Sequence, residues 1–333
     1  MKINEVNRII VSRTDSIGDV MLTLPFCAWL KECFPQATLV FLARGYTIPV
    51  VSCFKPVDEI LDWDLMVNLP IAEKTGLLKA DCIVHLFPNK DVAALSKKAK
   101  IPFRIGTSHR IFHFLTCNYK VNFSRKKSSL HEAQLNFELG RPFGLKSIPS
   151  FESTIAIGPH FSLPIKPTPT SLKNIDLSEA IVLHPKSQGS AIEWPIEKYY
   201  ALSQQLIQSG KTVLITGTEK EGEMMRKQFS FSQHLIDLTG QLTLSELIAL
   251  LSKVKVVVAC STGPIHIAAV VGTPTIALFS SRKPIHPGRW RPLGEKSKVL
   301  VFDENCQNCK KGKQCRCLEE IPVELLIKQI DAL

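Results

Sequence analysis

Short runs of Val, Ile and Leu alternate with longer stretches of helical periodicity through both halves of the chain. Near-continuous apolar runs bounded by polar loops mark strands covered on both faces, and strands alternating with helices build a parallel sheet. In the first half the pattern predicts strands at 8–11, 37–42 and 82–85, and a helix over 20–33 kinked in its first turns by Pro25. In the second half it predicts strands at 180–184, 212–216, 235–238, 254–259 and 275–279. Helices are expected between them at 195–209, 219–229, 244–251 and 264–271. The stretch 161–172 sets Pro164, Pro167 and Pro169 among Ser and Thr, which suits an extended connection. The expected domains are therefore 1–170 and 171–333, the same α/β architecture used twice. Two such domains facing each other would form a cleft at the carboxyl ends of both sheets, the usual ligand site of open α/β folds.

The most apolar stretch, 256–279, is broken by Gly263, Pro264, His266, Gly272 and Pro274. No run reaches the roughly 20 apolar residues that a bilayer crossing requires. The opening Met1-Lys2-Ile3-Asn4-Glu5 lacks the pattern of an export signal, which implies a cytoplasmic location and ten cysteines kept mainly as thiols. With 333 residues, 45% of them apolar, a disordered chain is excluded. The net charge of +11 is local in origin: 91–127 carries nine Lys and Arg (97, 98, 100, 104, 110, 120, 125, 126 and 127) against the single acid Asp91. Such a face meets nucleic acid, an anionic membrane surface or a phosphorylated substrate, or it is simply solvated.

Three polar loops follow predicted strands. The first, Ser12-Arg13-Thr14-Asp15-Ser16-Ile17-Gly18-Asp19, ends with an acid at a helix entrance. Asp19 is there either as a general base for a hydroxyl nucleophile or as a helix cap. The second, Ser261-Thr262-Gly263-Pro264 with His266 one turn further, joins a strand to a helix with Pro in its first turn. Backbone N–H groups and two hydroxyls at a helix start make a diphosphate cradle, and Gly263 permits close approach. His266 either touches phosphate or packs against the sheet. The third loop runs from Pro185 to Pro195 and contains Lys186, Ser187 and the Glu193-Trp194 pair. It is either an ordinary connection or a place where Lys186 offsets the charge of a leaving phosphate.

Cys306-x2-Cys309-x5-Cys315-x-Cys317 lies among Lys310, Lys311, Lys313 and Arg316. Four thiolates in one loop either hold zinc tetrahedrally or remain reduced thiols, and the tight Cys315-x-Cys317 spacing makes thiols the default.

Taken together, these stretches resemble glycosyltransferase family 9, the ADP-heptose:lipopolysaccharide heptosyltransferases. The matching residues are Arg13 to Val20 with Leu22-Thr23-Leu24-Pro25, then Asp237-Leu238-Thr239-Gly240, then Ser261 to Ala269, then Gly272-Thr273-Pro274. Arg104-Ile105-Gly106 and His131-Glu132 are weaker echoes.

The resemblance implies a GT-B fold, two Rossmann-like domains with parallel sheets facing a central cleft, acceptor bound mainly by the first and nucleotide sugar by the second. It implies an inverting transferase with no cofactor and no catalytic metal, moving heptose from ADP-heptose to a lipid A/inner-core lipopolysaccharide acceptor. Asp19 matches the family's catalytic aspartate. Lys186, Ser187, Ser261, Thr262, Gly263, Pro264 and His266 fall on the donor side, with Glu219 or Glu221 near the ribose. Arg13, Thr14, Ser16, Gly18, Arg104 and Arg110 fall on the acceptor side.

The basic window would then meet acceptor phosphates at the inner face of the cytoplasmic membrane, without nucleic acid. Phe103, Phe112, Phe114 and Leu115, interleaved with its charges, contact lipid or, as the expected alternative, pack in the core. Two departures from the family fall on the donor side. Ile192 and Glu193 stand where basic residues usually precede Trp-Pro, and Ser261 stands in place of an acid. Lys186, Arg282 or Lys283 would supply the missing positive charge. The competing readings are a transferase with another nucleotide-sugar donor, an epimerase or hydrolase of the same fold, and a basic nucleic-acid-binding protein.

Overall fold

A computed structural model describes residues 3–156, 160–166, 169, 172–189 and 191–333. Pro167 and Ser171 of the expected connection, the expected boundary at Thr170, Ser190 of the third loop, and Met1 and Lys2 of the N-terminal stretch lie outside the described residues. The chain divides into two compact units, Met1–Ser162 and Leu163–Leu333.

The first unit carries six strands, β1 (Arg8–Ser12), β2 (Thr38–Ala43), β3 (Glu59–Asp62), β4 (Cys82–His85), β5 (Phe103–Thr107) and β6 (Tyr119–Val121), in the order β3-β2-β1-β4-β5-β6. All pair in parallel. The second unit repeats the plan with β7 (Ile181–His184), β8 (Val213–Ile215), β9 (Leu235–Asp237), β10 (Val256–Cys260), β11 (Thr275–Phe279) and β12 (Ser297–Val301). Their order, β12-β11-β10-β7-β8-β9, is the same doubly wound arrangement. Strand order reverses between β1 and β4 in one unit and between β7 and β10 in the other, so each sheet has its ligand crevice outside those carboxyl ends.

Burial explains why these segments are strands. β7, β10 and β11 are buried along their whole length and β1 over all but its first residue, as central parallel strands must be. Of the four edge strands, β9 keeps the apolar pair Leu235-Ile236 that marks it in the sequence, whereas β3, β6 and β12 are only partly covered and carry Glu59, Lys120 and Lys298. That polarity is why the hydrophobic pattern does not reveal them; β5 is likewise masked by Arg104 and Gly106. The core of the second unit includes Trp194 and Tyr199 in edge-to-face contact at 4.9 Å. A terminal helix, Val323–Asp331, closes that core with Leu326 and Ile330 and was not foreseen from the pattern.

The helix expected over 20–33 is two helices, Ile17–Met21 and Leu24–Cys33. Pro25 has no N–H for the carbonyl one turn back, so it begins a second helix instead of kinking one. The break fixes Asp19 in a five-residue helix directly after the first loop. Phe103 is a core residue, whereas Phe114 and Leu115 are not: on the short helix Ile111–Thr116 only His113 and Thr116 turn inward. Phe114 and Leu115 are 59% and 72% exposed, beside Ile111 at 86%.

Three buried histidines give the protein a signed pH response. Burial lowers the pKa of His85 to about 3, with His113 and Arg104 adding to the effect, and burial also lowers that of His113. In the second unit burial lowers His184 to about 4 against the opposing pull of Glu221 and Glu193. An unfolded histidine takes its proton near pH ~6.5, so the folded state loses stability as pH falls from there towards 4. In the first unit the raised pKa of Asp15 works against this loss, so the clear case is the second unit, whose melting transition should shift down between pH 7 and 4.5, a shift that His184→Gln should flatten. An upward shift on acidification of that unit would contradict the assignment.

Candidate active site

The loop after β1 stands at the first unit's switch point, and its centre is a buried cation. Arg13, 3% exposed, directs Nε to Asp15 Oδ1 at 2.8 Å and Nη2 to Asp19 Oδ1, with Glu132 Oε1 3.7 Å from Nη1. Burial opposes the Arg13 charge, and Asp15, Asp19 and Glu132 outweigh it, holding the guanidinium firmly protonated. The Ser16 hydroxyl donates to the second oxygen of Asp19. Arg125 closes the cluster from the far side, with Nε 2.9 Å from Glu132 Oε1 and Nη2 on the Leu86 carbonyl at 3.1 Å. Two cations thus face three carboxylates, and Asp19 retains 20% side-chain exposure. Asp15 feels burial first, then Arg13 and Asp19, and its pKa rises to about 6. Each carboxylate oxygen carries two lone pairs, so Asp19 can hold Arg13 and Ser16 and still accept a proton.

The other first-unit residues divide. Thr14 is buried and accepts from Asn89 Nδ2 at 3.2 Å, while Gly18 sits half-buried beside Asp19. Arg104 turns Nε to the Thr116 carbonyl at 2.6 Å and Nη1 to the Ile101 carbonyl, which ties β5 to the following helix. Arg110 is exposed at the start of that helix, and Lys97, Lys98, Lys100, Lys120, Lys126 and Lys127 are also exposed. Glu132, Arg125 and Asn136 were not legible as site residues. Arg125 had shown only as one of the nine cations of the basic window and Glu132 only as the acid of His131-Glu132, which the fold buries at 1% exposure.

At the second unit's switch point, Thr262 caps the helix Gly263–Val270 with extended backbone and no side-chain cap bond. Its Oγ1 is buried and has no hydrogen-bond partner among the described residues. A hydroxyl in that position, beside N–H groups that no preceding turn can satisfy, is suited to an anion. Ser261 and Gly263 are half-buried beside it, while Pro264 and His266 lie inward. In the loop after β7, Lys186 Nζ pairs with Glu193 Oε2, and Ser187 donates its N–H and hydroxyl to Glu193 Oε1 at 2.7 and 2.8 Å. Burial acts against the Glu193 charge, but Lys186 and Ser187 prevail and hold its pKa below the ordinary carboxylate range. Lys186 is therefore neutralised within its own loop. Trp194 N–H donates to Cys260 Sγ at 3.3 Å, joining this loop to the end of β10.

Glu219 is exposed and paired with Arg226, which also holds Asp237 at 2.8 Å. Glu221 forms a capping box with Thr218, while its Oε1 is buried with no partner among the described residues. Asp237-Leu238-Thr239-Gly240 packs against that helix: a Cβ on Gly222 would stand 2.0 Å from Thr239 Oγ1, so only glycine permits the approach.

This geometry has counterparts of known class. The family model described as glycosyltransferase family 9 (heptosyltransferase) matches residues 76–319. The chain belongs to glycosyltransferase family 9. It is a glycosyltransferase of α/β, GT-B fold, and curated relatives align with it along almost its whole length. The lipopolysaccharide core heptosyltransferase OpsX of Haemophilus influenzae is 24% identical over 97% of this chain and 96% of its own. Lipopolysaccharide heptosyltransferase 2 of Escherichia coli is 22% identical over 98% of both. Among solved structures, E. coli ADP-heptose lps heptosyltransferase II has a TM-score of 0.75 at 18% identity over 98% of both chains. E. coli heptosyltransferase WaaC with ADP has a TM-score of 0.72 at 18% identity, covering 98% of this chain and 99% of its own. Within this family-9 enzyme, no helix among the described residues is long and apolar enough to cross a membrane.

Proposed function

We propose that this enzyme transfers heptose from ADP-heptose to the core region of a lipopolysaccharide, with inversion and without a metal at the reacting centre. The observation that carries the donor half is the buried Thr262 hydroxyl at a helix N-terminus beside the carboxyl ends of β7 and β10, which fits a diphosphate. The relatives named as lipopolysaccharide heptosyltransferases and the neighbour solved with ADP support the choice of nucleotide and sugar. Asp19 takes the proton of the acceptor hydroxyl as that oxygen attacks the anomeric carbon opposite the diphosphate. Arg13 and Ser16 position its carboxylate, and helix N–H groups with Thr262 and Ser261 receive the charge on the departing diphosphate.

Calorimetry against ADP, UDP, GDP and CMP tests the donor half. ADP should bind most tightly, and Thr262→Val should weaken it about tenfold, the effect of one hydrogen bond to a charged group. Equal or absent binding of all four would refute the reading. The Lys186–Glu193 pair favours a second reading, the same transfer with another nucleotide sugar, which a preference for UDP, GDP or CMP would support.

The acceptor's lipid end accounts for the exposed apolar face of Ile111, Phe114 and Leu115, with Lys120 5.9 Å over the Phe114 ring and Arg110 at the helix start. An apolar tip rimmed by cations suits peripheral binding to an anionic bilayer on the cytoplasmic side. Co-sedimentation with vesicles containing anionic lipid should fall at least about tenfold in an Ile111→Asp, Phe114→Asp double variant, since burying one such side chain contributes about 1.5–3 kcal/mol. Unchanged sedimentation would remove this part of the proposal.

A further inference from the structure

The segment 302–317 has an interior made of sulfur. Its twelve other residues are all exposed, and Cys306, Cys309, Cys315 and Cys317 alone are not. Cys309 is 0% exposed and Cys317 8%. A loop of this length with no apolar side chain turned inward has nothing from the hydrophobic effect to order it, and small substructures of that kind are held by cross-links or metal.

The four Sγ atoms lie within 4.8 Å of one another. Four thiolates about 2.3 Å from a zinc ion have sulfurs roughly 3.8 Å apart, so the cluster is already near the size that the ion requires. The Cys309 and Cys315 sulfurs are 2.9 Å apart, well outside the covalent S–S distance of about 2.0 Å. The backbone is also arranged for thiolates. Cys315 Sγ accepts the Cys317 N–H at 3.4 Å. Gly312, at φ +68°, makes the reversal that brings the two halves of the motif together. The tight Cys315-x-Cys317 spacing is no obstacle, because both sulfurs turn to the same centre. A four-thiolate zinc site carries two negative charges, and Lys310, Lys311, Lys313 and Arg316 surround it in sequence.

We propose that Cys306, Cys309, Cys315 and Cys317 form a structural site for one zinc ion held tetrahedrally by four thiolates, apart from the reacting centre. Binding releases the four thiol protons to solvent and leaves no open coordination position, so the ion orders the loop without taking part in chemistry. What it orders leads back to the donor loop. Directly after Cys317, Leu318 and Ile321 enter the second unit's core. The Ile321 carbonyl accepts Trp194 Nε1 at 3.1 Å and Lys198 Nζ at 3.0 Å. The zinc loop thereby tethers the end of β12 to the start of the helix Ile196–Gln208, next to Glu193 and Lys186.

The full-length protein, purified without chelator and without a histidine tag, should contain one zinc per chain by elemental analysis. A Cys315→Ser, Cys317→Ser double variant should lose it, and Cys33→Ser, which changes an exposed cysteine elsewhere, should retain it. If the double variant fails to fold, the wild-type protein supplies the answer. A mercurial titration should release zinc as four thiols react, and cobalt substitution should give the ligand-field spectrum of a tetrahedral tetrathiolate. Metal-free protein with these thiols freely reactive would overturn the proposal. So would an intact mass showing disulfides among them, or stoichiometric iron in place of zinc.

Discussion

Asn in place of Asp19 should lower turnover by roughly 10²- to 10⁴-fold, the usual contribution of a positioned general base. The replacement keeps the side chain's shape. Its oxygen can still accept from Arg13 Nη2, which holds one carboxylate oxygen in the native protein while Ser16 holds the other. What is lost is the capacity to take a proton. Nucleotide affinity should change by less than about twofold, because the residues proposed to hold the diphosphate belong to the other unit and a loss confined to kcat marks an interaction made only in the transition state. Single-turnover kinetics with calorimetry on the same preparation separates the two quantities. Turnover within a few fold of wild type would mean that another group is the base.

The second large effect is on stability. Arg13→Met removes the cation between Asp15, Asp19 and Glu132 and takes from Glu132, 1% exposed, one of the charges that face it. Breaking a buried pair on one side costs about 3–5 kcal/mol, because the other charge stays out of water. For a unit of this size that corresponds to a fall in melting temperature on the order of 10 °C. The loss should shrink at pH 5, where Asp15 with its pKa of about 6 is protonated and needs the cation less. Calorimetric scans of the variant at pH 7.5 and 5 read both. An equal or larger deficit at pH 5 would show that Asp15 is not the group left exposed to the missing charge.

Legibility in the sequence followed unbroken apolar runs, which is why the edge strand β9 showed and the interior strand β5, interrupted by Arg104 and Gly106, did not. β1, β4, β7, β10 and β11 are central strands whose side chains meet helices on both faces, so the hydrophobic pattern alone marked them. β3, β6 and β12 lie at sheet edges and carry the polar residues that edges tolerate, which removed the signal. The three loops after β1, β7 and β10 were visible as polar stretches following apolar runs, and the strand order puts them at the switch points. Arg13 and Ser16, which hold Asp19, lie in its own loop and were visible there, whereas the residues behind Arg13 were not. Glu132 lies more than a hundred residues further along and meets Arg13, with Arg125 on its own carboxylate, only once β4 and the helix Glu132–Asn136 are in place. Lys186 illustrates the opposite failure. Read as a free cation in a loop, it proved to have its counter-charge seven residues away in Glu193, a pairing set by the turn at Gln188 and Gly189.

The most direct test of the account is nucleotide release from ADP-heptose, followed with and without a lipid A/inner-core acceptor, by wild type and Asp19→Asn side by side. The account predicts stoichiometric ADP and a heptose-extended acceptor only when wild-type enzyme and acceptor are both present. ADP release at the same rate without acceptor, or equal transfer by the Asp19→Asn variant, would contradict it.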